Sequence, residues 1–185
     1  MNAKTEIKLS GVGGQGVVLA GTIIGCAASV YDGLNAVQTK EYGSELRGGD
    51  VSTSVIVSRE KIVFPSVVAP DILLTLAQQA YDAHINVLKP RGILITDSDL
   101  VTVSKDALPQ GVVHYSAPFN MIADSVFSNS TVLNMIALGF FSAVTGVISV
   151  NALQKAVEQL VPQRTIHKNI EAVAKGVELA KEVKG

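Results

Sequence analysis

Cysteine is almost missing from this sequence of 185 residues, which has only Cys26. An iron–sulfur cluster takes about four thiolates, so the chain cannot ligate one by itself. Cys26 sits in a stretch of small apolar residues, the setting of an inert buried thiol rather than a reactive one. Histidine is scarce as well. His84, His114 and His167 fall in separate segments without ligand spacing to one another or to Cys26, which argues against a metal site. Tryptophan is absent and aromatic residues make up 5% of the chain. Lysine and arginine are scattered, with no basic run and no interleaved aromatics, and the net charge is −1; nothing here tracks a nucleic-acid backbone. Long hydrophobic runs are lacking too. Val17 to Val30 carries Gly, Thr and Ser, and Val132 to Val150 is broken by Asn134, Gly139, Ser142, Thr145, Gly146 and Ser149. Neither matches the ~20 strongly apolar residues of a membrane span. Lys4, Glu6 and Lys8 interleave with the first strand, so no cleavable apolar leader is expected and a cytoplasmic location is. No serine has a nucleophile-elbow context.

What is present is apolar mass. Hydrophobic residues are 48% of the chain, charged residues 17%, and mean hydropathy is +0.36. A chain of this length builds one core, so residues 1–185 are expected to form a single domain. With a membrane excluded, the surplus of apolar residues implies a surface covered by partners.

Lys4 to Ser10 alternates charged and apolar residues, the period-2 pattern of a strand. Glycines 11, 13, 14 and 16 punctuate a turn. Val17 to Tyr31 is small and apolar nearly all round, as in a helix buried on most sides, and Asp32-Gly33 ends it. Leu34 to Thr39 reads as a second strand, and this strand–turn–helix–strand unit favours parallel pairing of the two strands. Glu41 to Asp50 is a polar loop. Val51 to Ser58 is a strand, and the Arg59-Glu60 turn into Lys61 to Phe64 suggests a hairpin. Asp71 to Leu76, Ile93 to Thr96 and Val112 to Tyr115 are short strands, with a helix over Gln78 to Leu88. From Pro118 the pattern is helical: Met121 to Phe127, Thr131 to Thr145, Asn151 to Leu160 with a cap region at Ser149 to Asn151, and Ile166 to Val183. The expected fold is α/β: a three-layer domain with a mixed, largely parallel sheet, helices on both faces and a helical C-terminal part.

Two segments could carry chemistry. Gly11-Val12-Gly13-Gly14-Gln15-Gly16 joins a strand to a helix, where unpaired backbone N–H groups and glycine allow close approach of an anion. The spacing of Gly11, Gly13 and Gly16 fits a dinucleotide fingerprint. That fingerprint needs an acid at the end of the second strand; Asp32 comes before that strand and Glu41 falls well after it. A tight packing turn is the competing explanation. The second segment, Glu41-Tyr42-Gly43-Ser44-Glu45-Leu46-Arg47-Gly48-Gly49-Asp50, sets one arginine between two glutamates ahead of paired glycines. Arg47 offers a fork of donors to a carboxylate or phosphate, or it pairs with Glu41 or Glu45 inside the domain. Asp97 and Asp99 stand at a strand end where α/β ligand sites occur, but fit turn and cap roles better.

Gly11 to Gly16, together with Gln38-Thr39-Lys40-Glu41-Tyr42-Gly43-Ser44-Glu45-Leu46-Arg47-Gly48-Gly49, resembles the gamma subunit of the 2-oxoacid:ferredoxin oxidoreductases. The Pro70-Asp71 step, Asn134 with Leu138-Gly139, and Asn169 with Ala174 and Gly176 agree, so the likeness covers nearly the whole chain. The resemblance implies a heteromeric enzyme that oxidatively decarboxylates a 2-oxoacid to acyl-coenzyme A and passes electrons to ferredoxin. It implies that thiamine diphosphate and iron–sulfur clusters reside on alpha and beta subunits, with a delta subunit as a further partner. No cofactor is expected on this chain alone and none of its residues is expected to be catalytic. Gly13, Gly14, Gln15, Gly16, Tyr42, Glu45, Arg47, Gly48 and Gly49 are the implied cofactor-binding or partner-facing residues, near coenzyme A. The wording of the second segment and the lack of an appended ferredoxin-like segment favour 2-oxoglutarate, with pyruvate, branched-chain and indolepyruvate enzymes as alternatives. The competing class is a stand-alone nucleotide-binding α/β domain that uses the Gly11 to Gly16 turn.

Overall fold

The computed structural model describes residues 4–42 and 50–184. Six strands form one sheet in the order β2-β3-β1-β4-β5-β6, with β1 Lys4–Val12, β2 Asn35–Tyr42, β3 Asp50–Ser58, β4 Ile72–Thr75, β5 Ile93–Asp97 and β6 Val113–Ala117. β1, β4, β5 and β6 pair in parallel, while β3 runs antiparallel to both β1 and β2. The mixed, largely parallel sheet expected from the pattern is therefore present.

Two expected pairings are corrected. β1 and β2 point the same way but are not neighbours, because β3 inserts between them and pairs with each along its length. Lys61 to Phe64 forms no strand. With β1 on one side and β2 on the other, β3 has no open edge to offer it, and the hairpin partner of β3 is β2. A period-2 pattern shows that a segment can be extended, not whether a donor row is free to receive it.

Strand alternation divides the core. Ile7, Leu9, Val55, Val57, Ile72, Leu74 and Ile95 face one side and pack in a large cluster with α1 (Val17–Cys26), α3 (Phe119–Phe127), α4 (Leu133–Thr145), α5 (Val150–Leu160) and α6 (Ile166–Lys184). Leu73 and Leu94 face the other side, where Tyr81 of α2 (Gln78–His84), Ile85, Leu88 and Val101 form a smaller cluster. Helices cover both faces, very unequally. α1 continues into one wide π turn, Ala27–Tyr31. Between Lys8 and Asp32 the sequence has no charged residue, which suits a helix laid against the sheet.

α4 is buried almost all round, from Leu133 to Ser142. Its contact with α6 depends on two glycines. A Cβ on Gly139 would collide with the Val173 carbonyl, and one on Gly176 with the Ile136 carbonyl. The helices touch backbone to backbone there, and Phe140 meets Phe119 edge-on at 5.2 Å between ring centroids. No described helix is long and apolar enough to cross a membrane.

At the amino edge of the sheet, Lys89 Nζ donates to Glu6 Oε2 (2.9 Å) and Asp71 Oδ1 (2.8 Å), and the Glu6 N–H donates to Asp71 Oδ2. Burial works to raise the Glu6 pKa, but hydrogen bonds from Lys4 and Lys89 outweigh it and hold the carboxyl below its usual range. This network fixes Pro70-Asp71 against β1, a structural role for that step.

Gly176→Ala should lower stability by about 1–3 kcal/mol, because overpacking outweighs the ~1 kcal/mol gain in helix propensity. Urea unfolding of the purified chain reads this, and an equal or higher midpoint would exclude the close crossing.

Candidate functional site at the carboxyl edge of the sheet

The pairing register decides what meets at the far edge. Val12 stands opposite Asp50, and Val51 opposite Tyr42. The glycine turn after β1 and both ends of the 43–49 segment therefore leave the same edge, within about 10 Å given ~4.8 Å per strand spacing. β4, β5 and β6 end there as well. Carboxyl ends of parallel strands are where α/β folds place ligands.

The glycine turn is built tightly. Gln15 Oε1 accepts from the Val12 N–H (2.8 Å), and Gln15 Nε2 donates to the Leu76 carbonyl (2.8 Å). This side chain thus ties the turn to the end of β4. Gly16 caps α1 in the left-handed region (φ 70°), and Asn134 Nδ2 donates to its carbonyl at 3.2 Å. A Cβ there would be strained and would also collide with Asn134. Gly13 and Gly14 form the exposed tip, with open space where side chains would stand. The first turn of α1 has no acidic residue, so no carboxylate there offsets the positive end of the helix. Gln15 and Gly16 serve packing, whereas Gly13 and Gly14 leave bare, exposed backbone.

Beneath this edge, on the α2 face, paired positions Glu41, Ser52, Ser10, Thr75, Thr96 and Ser116 give one polar side chain from each strand in order across the sheet. Lys8 Nζ donates to Glu41 Oε2 (2.8 Å), and the Ser52 hydroxyl to the same oxygen (3.4 Å). The Lys8 hydrogen bond, working against burial, holds the Glu41 carboxyl low. His84 Nε2 lies 2.6 Å from Asp50 Oδ2, tying the end of α2 to the start of β3. Ser10 Oγ, Ser54 Oγ and Asp50 Oδ1 are buried without a partner, unusual for buried polar atoms. The pairing of Lys8 with Glu41 and of His84 with Asp50 was not expected from the sequence. Only Lys8, a charged residue inside a strand that becomes central, carried a signal, whereas Asp50 begins a strand and His84 ends a helix.

Other candidates resolve as structural. Asp97 is fully buried and accepts from the Asp99, Leu100 and Asn120 N–H groups. Burial pushes its carboxyl up despite these bonds. Asp99 accepts from the Met121 N–H, so both aspartates organise the start of α3. Asp32 accepts from the Ser149 N–H and hydroxyl (both 2.7 Å) and supports the Ser149 cap of α5. Cys26 is half-buried, donates to Gln159 Oε1 at 3.4 Å, and burial pushes its thiol up. Among the described residues no group of three acidic, histidine or cysteine side chains could hold a metal. Glu45, Arg47, Gly48 and Gly49 lie outside the described residues, as does the Tyr42 side chain. The alternative pairing of Arg47 with Glu41 or Glu45 also lies outside the described residues; within them Glu41 pairs with Lys8.

The dinucleotide reading loses its geometry. Its acid belongs at the end of the strand beside β1, but β3 occupies that place, Asp32 is at the other edge capping α5, and Glu41 is paired. A three-layer α/β domain with a tight glycine turn and, among the described residues, no dinucleotide acid is the class defined here.

Comparisons with known proteins give the family. The model of the pyruvate ferredoxin/flavodoxin oxidoreductase family matches residues 6–179. A 2-oxoglutarate synthase subunit, KorC, of Methanocaldococcus jannaschii is 44% identical over 181 residues, 97% of this chain and 96% of that protein. The crystal structure of a keto/oxoacid ferredoxin oxidoreductase gamma subunit from Geobacter sulfurreducens superposes with TM-score 0.85 at 39% identity, covering 96% of this chain and 99% of that one. A 2-oxoglutarate:ferredoxin oxidoreductase from Magnetococcus marinus, bound to 2-oxoglutarate, coenzyme A and succinyl-CoA, superposes with TM-score 0.87 at 26% identity; the match spans 98% of this chain but 32% of that one. The chain belongs to the pyruvate ferredoxin/flavodoxin oxidoreductase family, as a gamma-type subunit of a multi-subunit oxidoreductase.

Gln15→Ala should cost roughly 1 kcal/mol by freeing the Val12 N–H and the Leu76 carbonyl. Gln15→Glu, which keeps the acceptor but turns a second acceptor on Leu76, should cost as much. Thermal unfolding of both variants tests this; a harmless Gln15→Glu would exclude the bridge to β4.

Proposed function

We propose that this chain is the gamma subunit of a 2-oxoglutarate:ferredoxin oxidoreductase, and that its carboxyl edge helps shape the region where coenzyme A meets the active site. The carrying observation is the register that brings the Gly13-Gly14 tip and the ends of the 43–49 segment to one edge. The KorC relatives and the ligands of the Magnetococcus enzyme support the substrate and co-substrate. Gly13, Gly14, Tyr42, Glu45, Arg47, Gly48 and Gly49 are the candidate partner- or ligand-facing residues, while Gln15 and Gly16 hold the turn that carries Gly13 and Gly14.

The donor set of this chain does not fit an iron–sulfur cluster, with one cysteine against about four required thiolates. Alpha and beta subunits, with a delta subunit in some assemblies, supply thiamine diphosphate and the clusters and pass electrons to ferredoxin in the cytoplasm. This chain contributes backbone donors at the glycine tip and the Arg47 fork, suited to an anionic co-substrate or a carboxylate of a neighbouring subunit.

Co-expression with the genes encoded beside it should yield a brown complex containing thiamine diphosphate that reduces viologen dyes with 2-oxoglutarate. A chain that co-purifies with no neighbour would sink the proposal, and a complex active only with pyruvate would correct the substrate. Arg47→Ala should leave the isolated chain folded while weakening assembly or raising the KM for coenzyme A about tenfold, as for one lost charge-assisted contact of ~1.4 kcal/mol. Unfolding of that variant would instead assign Arg47 to an internal pair.

A further inference from the structure

The segment rejected as a strand is the least explained part of the fold. Between β3 and β4, Val63, Phe64 and Val68 are 71%, 78% and 82% exposed, although the sequence around them is as apolar as a core strand. Contiguous exposed apolar side chains of this size mark contact surfaces. Pro65 restricts the preceding residue to extended backbone, so Phe64 is held ready at little entropic cost. The segment leaves β3 beside the start of β1, at the edge opposite the glycine turn.

Charge defines the occupant. Arg59 and Lys61 are exposed at the base of the segment and have no ion pair among the described residues. With Glu60 between them, the rim carries one excess positive charge. A groove of about 220 Å³ beside Phe64 is lined in part by Lys4, Glu60 and Lys61. An apolar centre with a cationic rim is the anatomy of an interface anchor. In the Magnetococcus enzyme the same fold is about a third of a longer chain. There the fold is covalently joined to further chain about twice its own length.

We propose that Arg59 to Val68 is a docking surface for another subunit of the oxidoreductase, which receives Phe64 in an apolar socket rimmed by carboxylates. This rests on the subunit reading above but concerns the opposite edge from the proposed coenzyme A region. The segment is thus an anchor, and the carboxyl edge stays free for the active site.

The test compares wild-type chain, Phe64→Asp, Phe64→Ser and the double variant Arg59→Glu/Lys61→Glu, each co-expressed with the neighbouring subunits. Affinity is measured by titrating purified chain into the complex lacking it. Phe64→Asp should bind about 30-fold or more weakly, a hot-spot loss of ~2 kcal/mol at ~1.4 kcal/mol per decade, with an unchanged melting curve for the isolated chain. The charge reversal should weaken binding and flatten its salt dependence. If Phe64→Asp fails to fold, Phe64→Ser and the charge reversal carry the same expectation. Unaltered assembly of the variants overturns the docking surface and leaves the subunit reading intact. An effect confined to self-association of the isolated chain overturns it in favour of a second copy. Failure of wild-type chain to assemble with any neighbour removes the subunit reading, and this proposal with it.

Discussion

The structure depends on the double pairing of β1. One edge of this strand runs antiparallel to β3 from Lys4–Ser58 to Val12–Asp50, and the other pairs in parallel with β4. β1 is thereby saturated, and so is β3 once β2 has joined it. These hydrogen bonds fix which face each alternating residue takes, since a slip of one residue would send Ile7 and Leu9 to the polar side. They also fix what stands at each end of the sheet.

From that register the molecule acquires two unlike edges. At the carboxyl edge the backbone of Gly13 and Gly14 is bare, the end of β2 at Tyr42 and the start of β3 at Asp50 stand close by, and a polar row crosses the sheet below them. At the amino edge Lys89 pins β1 to Asp71, and the connection to β4 exposes its apolar side chains. The two edges are therefore chemically unlike, one presenting bare backbone beside a polar row and the other exposed apolar side chains. The apolar side of the sheet supplies rigidity between them, with α4 locked to α6 where Gly139 and Gly176 let the backbones touch.

Among the described residues, the face under α2 carries the buried unpartnered atoms Ser10 Oγ, Ser54 Oγ and Asp50 Oδ1 from the sheet and Tyr81 Oη from the helix. Asp50 stands opposite Val12 at the carboxyl edge, with Ser10 and Ser54 further along the strands. Small hydroxyl side chains let α2 pack closely, as Ala80 does from the helix side. The same choice leaves this end of the core polar rather than sealed by apolar packing.

The sequence by itself determined the local elements and much of the class. Glycine spacing marked the turn, since only glycine takes φ near 70° beside Asn134 without strain. Period-2 and helical patterns marked all six described strands to within three residues and the six α-helices, and the cysteine count excluded a cluster on this chain. The sequence also held the family likeness in its two glycine-bearing segments. Tertiary structure alone decided strand order. The β1–α1–β2 unit and the β2–β3 hairpin are both compatible with the same local pattern, and only competition for strand edges puts β3 between β1 and β2. It likewise decided that Glu41 answers to Lys8, that Asp32 caps α5, and that Val63 and Phe64 have no place in the sheet. Partners that are distant along the chain leave no periodic trace, because hydrogen-bonding rows and ion pairs are filled only after the chain has folded back on itself.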